Sequence, residues 1–151
     1  MSRIAAGECF FMDMEWYGID KKGNIAVFCS VGEGYLPEFV CADKERTDML
    51  IEFFDTLEKT TSSTLLFKGS ERFEKVARDF SDKGLYYFDS DDGTRYGVGT
   101  FHEYYTKLSM PLRPLKYSAL PEHIRKMLKD NIMEIEDFSS MDKVFVKHAY
   151  E

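Results

Sequence analysis

Glu15-Trp16-Tyr17-Gly18-Ile19-Asp20-Lys21-Lys22-Gly23-Asn24-Ile25-Ala26-Val27-Phe28-Cys29-Ser30 holds two candidate strands on either side of one turn. Both flanks are rich in β-branched and aromatic residues, and Lys21-Lys22-Gly23 separates them. Asp20 can open a type I turn, and Gly23 can take the left-handed position that closes it. The stretch therefore predicts a β-hairpin. Ile25 to Cys29 is apolar at consecutive positions, so both faces of the second strand need cover. A central place in the sheet is expected for it.

Further along the chain the period changes. Gly32-Glu33-Gly34-Tyr35-Leu36-Pro37 reads as a Gly-rich loop leading into a short extended piece. From Asp43 to about Lys59, the residues Met49, Leu50, Phe53, Phe54 and Leu57 share one helical face, with Asp43 as the N-cap. A second helix is predicted over Ser70–Lys83, where Phe73, Val76, Ala77 and Phe80 repeat at helical spacing and Gly84 is placed to stop it. Phe53, Phe73 and Phe80 are expected in the core. Leu65 to Phe67 is a brief buried piece. Leu85–Phe88 and Thr94 to about Lys107 form a second hairpin around Asp89-Ser90-Asp91-Asp92-Gly93, and Met110 to Pro114 breaks its long strand. Pro121 opens a third helix to about Asp130, and Lys143 to Lys147 is extended. The expected fold is α+β: an antiparallel sheet from two hairpins with about three helices packed on it, in a single domain spanning 1–151.

The chain has 151 residues, 44% hydrophobic and 31% charged, which suits one globular domain. No apolar run approaches the ~20 residues a membrane span needs, and Met1 to Phe11 lacks the pattern of a signal peptide. Cys9, Cys29 and Cys41 are odd in number and contain no C-x-x-C, so no disulfide framework and a reducing, cytoplasmic compartment are expected. The formal charge is −7, and residues 1–60 hold 12 acids against 6 bases. Such a surface repels phosphate backbones, which argues against nucleic acid and for a basic partner. Solubility accounts for an acidic excess as well.

The motifs that would announce a cofactor fail on register. Counted from Asp89, a calcium loop would need a Glu at Thr100, and its fifth position is Gly93. Gly97-Val98-Gly99 lacks the third glycine and precedes a strand, so it is no dinucleotide fingerprint. Gly32-Glu33-Gly34 lacks the Gly-Lys-Ser/Thr of a phosphate loop. His102, His123 and His148 are too far apart to pair on one helix face. No metal, no cofactor and no catalytic residue is assigned.

What remains is acidic side chains interleaved with aromatics. Asp13, Glu15, Glu33 and Glu38 would form a docking surface, with Tyr17 or Tyr35 as an anchor. The layout of Met14 to Phe28, then Gly32, Gly34 and Leu36-Pro37, then Tyr105, Pro111, Pro114-Leu115 and Leu120-Pro121-Glu122-His123-Ile124, resembles that of small bacterial proteins, some similar to immunity proteins of polymorphic toxin systems. The resemblance implies binding and neutralising a cognate toxin, and it carries over no site residues; joined to the acidic half, the expectation is a non-enzymatic protein-binding module for a basic partner. Two rival readings stand beside it. One is a small enzyme with a site around His102, Tyr104 and a carboxylate. The other is a structural or oligomeric domain.

Overall fold

A computed structural model of the chain describes residues 2–9, 12–90 and 103–150. The elements in chain order are α1 (Ala6–Cys9), β1 (Glu15–Ile19), β2 (Ile25–Cys29), α2 (Glu38–Cys41), α3 (Lys44–Asp55), β3 (Ser63–Leu65), α4 (Glu71–Ser81), β4 (Tyr86–Asp89), β5 (Tyr104–Pro111), α5 (Glu122–Leu128) and β6 (Lys143–Phe145).

The first hairpin forms as its sequence dictates. β1 and β2 pair antiparallel from Glu15 opposite Cys29 to Ile19 opposite Ile25. Gly23 closes the turn with φ 82°, a conformation that glycine adopts without steric cost. Asp20, buried, accepts from Lys22 N, Asn24 N, Asn24 Nδ2 and Phe138 N. One carboxylate thus shapes the turn and ties the chain near Phe138 to it.

β2 lies inside the sheet, whose order is β1-β2-β4-β5-β3, with β6 also pairing β5. The expectation of a purely antiparallel sheet is corrected here. β2 and β4 are parallel, Ala26 to Cys29 standing opposite Tyr86 to Asp89. Residues 30–85, with α2, α3, β3 and α4, form the crossover that parallel neighbours require. β4 and β5 are antiparallel, with a register shift between Tyr87 and Phe88. Most of the connection between them, including Asp91 to Gly93, Gly97, Gly99 and His102, lies outside the described residues. β5 runs on to Pro111, where Met110-Pro111 was expected to break it. Pro111 ends the strand opposite Ser63 of β3.

Helix starts follow their caps. Asp43 accepts from Arg46 N at 3.1 Å and Ser70 accepts from Phe73 N at 3.1 Å, opening α3 and α4. α3 ends at Asp55, earlier than the predicted Lys59. Among the described residues, five α-helices stand where about three were expected. The two additional ones, α1 and α2, have 4 residues each and are too short to show a period.

Both faces of the sheet are covered. On one, Tyr17, Ile19, Ile25, Val27, Leu85, Tyr87 and Leu108 meet Leu50 and Phe54 of α3, Ala77 of α4, and Ile124 and Leu128 of α5. On the other, Trp16, Ala26, Phe28, Phe88 and Tyr105 meet Ile4, Cys9, Leu36, Val40, Cys41, Phe138, Val144 and Val146. Trp16 stacks on Phe28 at 4.1 Å between centroids, and Phe28 on Phe88 at 5.0 Å. Phe53, Phe73 and Phe80, expected in the core, are only half-buried. The fully inward aromatic of α3 is its neighbour Phe54, stacked on Tyr17 at 4.3 Å.

Candidate functional site

The register of the sheet assembles a polar row at one end of the helical face. Glu15 stands opposite Cys29, Cys29 opposite Asp89, and Asp89 opposite Thr106. Cross-strand partners share a face, and two residues inward along each strand lie Tyr17, Val27 and Tyr87 of the apolar core. The row therefore marks where the buried apolar face ends. It also lies at the carboxyl ends of the parallel strands β2 and β4, where open sheets with crossovers commonly place ligands.

A groove of about 490 Å³ opens against this row. Asp13, Glu15, Cys29, Tyr87 and Asp89 line its strand side. The first two turns of α4 supply Arg72, Phe73 and Val76, with Phe80 further along. Phe73 and Phe80 are thus half-buried because they wall the groove as well as the core.

Its electrostatics follow from partial burial of acids. Burial holds the Glu15 carboxyl above the usual carboxylate range, and the negative charge of Asp55 adds to the effect. Tyr17 O–H donates to Glu15 Oε2 at 3.2 Å. Burial, followed by the charge of Glu15, pushes the Tyr17 hydroxyl up. Asp89 is 4% exposed and accepts from the Tyr87 hydroxyl. Burial and the nearby charges of Asp89, Glu15 and Asp13 push the Cys29 thiol well up. Cys29 is therefore held as a neutral thiol, the wrong state for a nucleophile. Carboxylates above an aromatic wall suit a cationic group carried on an aliphatic stem.

The expected docking residues separate. Asp13, exposed, and Glu15, half-buried, meet at this groove. Tyr17 is corrected: at 1% exposure it is core, out of reach as an anchor for a partner. Glu33 is half-buried in the turn that follows β2, where its N–H donates to Ser30 O. Tyr35 packs on the opposite face, its carbonyl accepting from the Tyr105 hydroxyl at 2.7 Å and its ring edge-on to His148. Glu38 is exposed at the start of α2 and paired with Arg3, which holds its carboxyl below the usual range. No single patch joins all six. Tyr104 is half-buried on β5 with Lys143 Nζ over its ring at 4.5 Å.

Asp89 escaped the sequence reading because Asp-Ser-Asp-Asp-Gly reads as a turn. Cys29 reads as the last apolar residue of a buried strand. Nothing local tells that β4 returns parallel to β2 and sets the two side by side. Among the described residues, no group of three or more His, Cys, Asp or Glu is placed to hold a metal ion. No helix there is long and apolar enough to cross a membrane.

The fold and groove define an α+β domain whose mixed sheet carries the three longer helices on one face and has a cleft at its strand ends. Compared with protein-family models, with curated proteins and with solved structures, the chain matches none.

Proposed function

We propose that this chain is a non-enzymatic protein-binding module whose groove at the ends of β1, β2 and β4 holds a basic side chain of its partner. In line with a sequence layout like that of small bacterial proteins, some similar to immunity proteins, the proposed partner is a basic toxin that the binding neutralises. The observation that carries this reading is the convergence of Asp13, Glu15 and Asp89 on one groove with the aromatic wall of Phe73 and Phe80. Glu15 is partly desolvated and its carboxyl raised, so an entering cation would restore its charged form and gain from it. Truncating one partner of such an interfacial pair typically costs ~2–5 kcal/mol of binding.

The test is association kinetics and toxin neutralisation with the protein encoded beside this chain. Asp13→Lys is expected to slow association, an effect that fades as salt shortens the Debye length toward ~8 Å. Glu15→Gln and Asp89→Asn are expected to speed dissociation, and Glu38→Lys to change neither rate. A neighbour that binds with the same rates whatever stands at positions 13, 15 and 89 would refute the groove as the docking site.

A further inference from the structure

The N-terminal segment is strapped across α2 and the start of α3. Ile4 N donates to Cys41 O at 2.8 Å, and Lys44 N donates to Ser2 O at 2.8 Å. Arg3 pairs with Glu38, and Ser2 with Glu45. These ties bring together two cysteines that are 32 residues apart. Cys9 Sγ and Cys41 Sγ are 2.8 Å apart, with the residues 1% and 0% exposed. Both are free thiols, buried against the face of the sheet opposite Cys29.

We propose that Cys9 and Cys41 are a redox-convertible pair, oxidised to an intramolecular disulfide by a hydroperoxide and returned to two thiols by a small dithiol. The geometry needs little movement, since the sulfurs already touch and only ~0.8 Å separates them from bond length. The two cysteines are not equivalent. Their mutual hydrogen bond lowers the Cys9 thiol and raises the Cys41 thiol, and the Arg3 guanidinium favours the thiolate of both. Cys9, at the end of the strap whose opening admits the oxidant, is the attacking sulfur. Its thiolate attacks one peroxide oxygen and the O–O bond breaks. The departing oxygen takes the proton lost by Cys9 and leaves as water, or as an alcohol from an organic hydroperoxide. The Cys41 sulfur then attacks the sulfenic acid on Cys9, the S–O bond breaks, and the oxygen leaves as water with the Cys41 proton. Each sulfur is oxidised by one electron, and the peroxide accepts both.

Burial sets the rate. The oxidant reaches Cys9 when the strap of residues 2–9 opens, so the reaction reports that local opening. Once formed, the bond closes the loop that contains the first hairpin and pins the strap to α2. Cys29 has no part in it, because its thiol lies on the other face and is held protonated by burial and acidic neighbours.

The experiment is peptide mapping of the purified, reduced chain after exposure to hydrogen peroxide, with free thiols alkylated under denaturing conditions. Cleavage after Lys22 and Glu33 places the three cysteines in separate peptides. A Cys9–Cys41 cross-link is expected, with a loss of about 2 Da in the intact monomer and a melting temperature raised by roughly 5–10 °C. Dithiothreitol should reverse both. Cys29→Ser should retain the cross-link, and Cys9→Ser or Cys41→Ser should lose it. Should either of these fail to fold, the wild-type and Cys29→Ser maps still decide. Recovery of Cys9 and Cys41 as separate alkylated or over-oxidised residues, or joined to Cys29 or to a second chain, would overturn the proposal.

Discussion

The two faces of the sheet are covered by different means. α3, α4 and α5 close one face with side chains spaced at the helical period. The other is closed by the strap through Ile4 and Cys9, the stretch from Leu36 to Cys41, and the chain from Phe138 to Val146. Helical cover satisfies its own backbone and stops where the helix ends, leaving a cleft at the polar row. Cover made of short elements and the loops between them must borrow hydrogen bonds from whatever it crosses. Ala149 N donates to Leu36 O, Val146 N to Glu103 O, and Lys107 Nζ to the carbonyls of Phe138 and Ser139. Burial lowers the pKa of Lys107 from the usual lysine range, yet its ammonium satisfies carbonyls of the single 3-10 turn at Phe138–Ser140 that Asp137 caps at its other end. A layer of long helices thus leaves a groove, and a layer of short elements and loops yields a packed seam held by long-range contacts.

The largest expected effect tests whether the seam is as well packed as the helical side. Phe28→Ala, at 0% exposure with stacking partners Trp16 and Phe88, should cost about 3–5 kcal/mol in urea unfolding. Phe54→Ala on the helical face should match it. Phe53→Ala and Phe73→Ala, half-buried, should cost about half as much. Equal losses at Phe53 and Phe54 would mean that α3 sits rotated from its described position.

Next comes the joint between turn and seam. Asp20→Ala strands donors at Lys22, Asn24 and Phe138, and a buried unsatisfied donor costs about 1–3 kcal/mol. Hydrogen exchange should rise at Asn24 and Phe138 together. Faster exchange at Asn24 alone would uncouple the turn from the seam.

The groove gives a smaller effect with a defined pH sign. The Glu15 carboxyl is raised in the folded chain, so the stability tied to it is full at low pH, where the group is protonated in both states. That stability is lost as pH rises through the folded value. Glu15→Gln should therefore equal wild type at acid pH and exceed it at neutral pH, by under ~1 kcal/mol given its partial exposure. A variant less stable at neutral pH would show that the Tyr17 hydrogen bond to the carboxylate outweighs its burial. The smallest effect is at the strap's surface. Glu38→Gln, which removes an exposed ion pair, should leave the melting temperature unchanged within error.

Local chemistry made one part of this molecule legible. The Asp20–Gly23 turn, the caps Asp43 and Ser70, and the burial of Ile25 to Phe28 on both faces each depend on neighbours within a few residues. They can be read without knowing what lies across the fold. Phe53 shows the limit even there, because periodicity picks out a stripe but not which side of it faces the sheet. The cover of the seam has no period to read, since segments such as 2–9 and 138–146 are apolar only where they happen to touch. The parallel pairing of β2 with β4 was decided by tertiary structure, and with it the meeting of Glu15, Cys29 and Asp89. So was the contact of Cys9 with Cys41. In each case the partners are separated by a hairpin or a crossover, and their closeness comes from where whole layers dock, a long-range outcome of burial that no local spacing encodes.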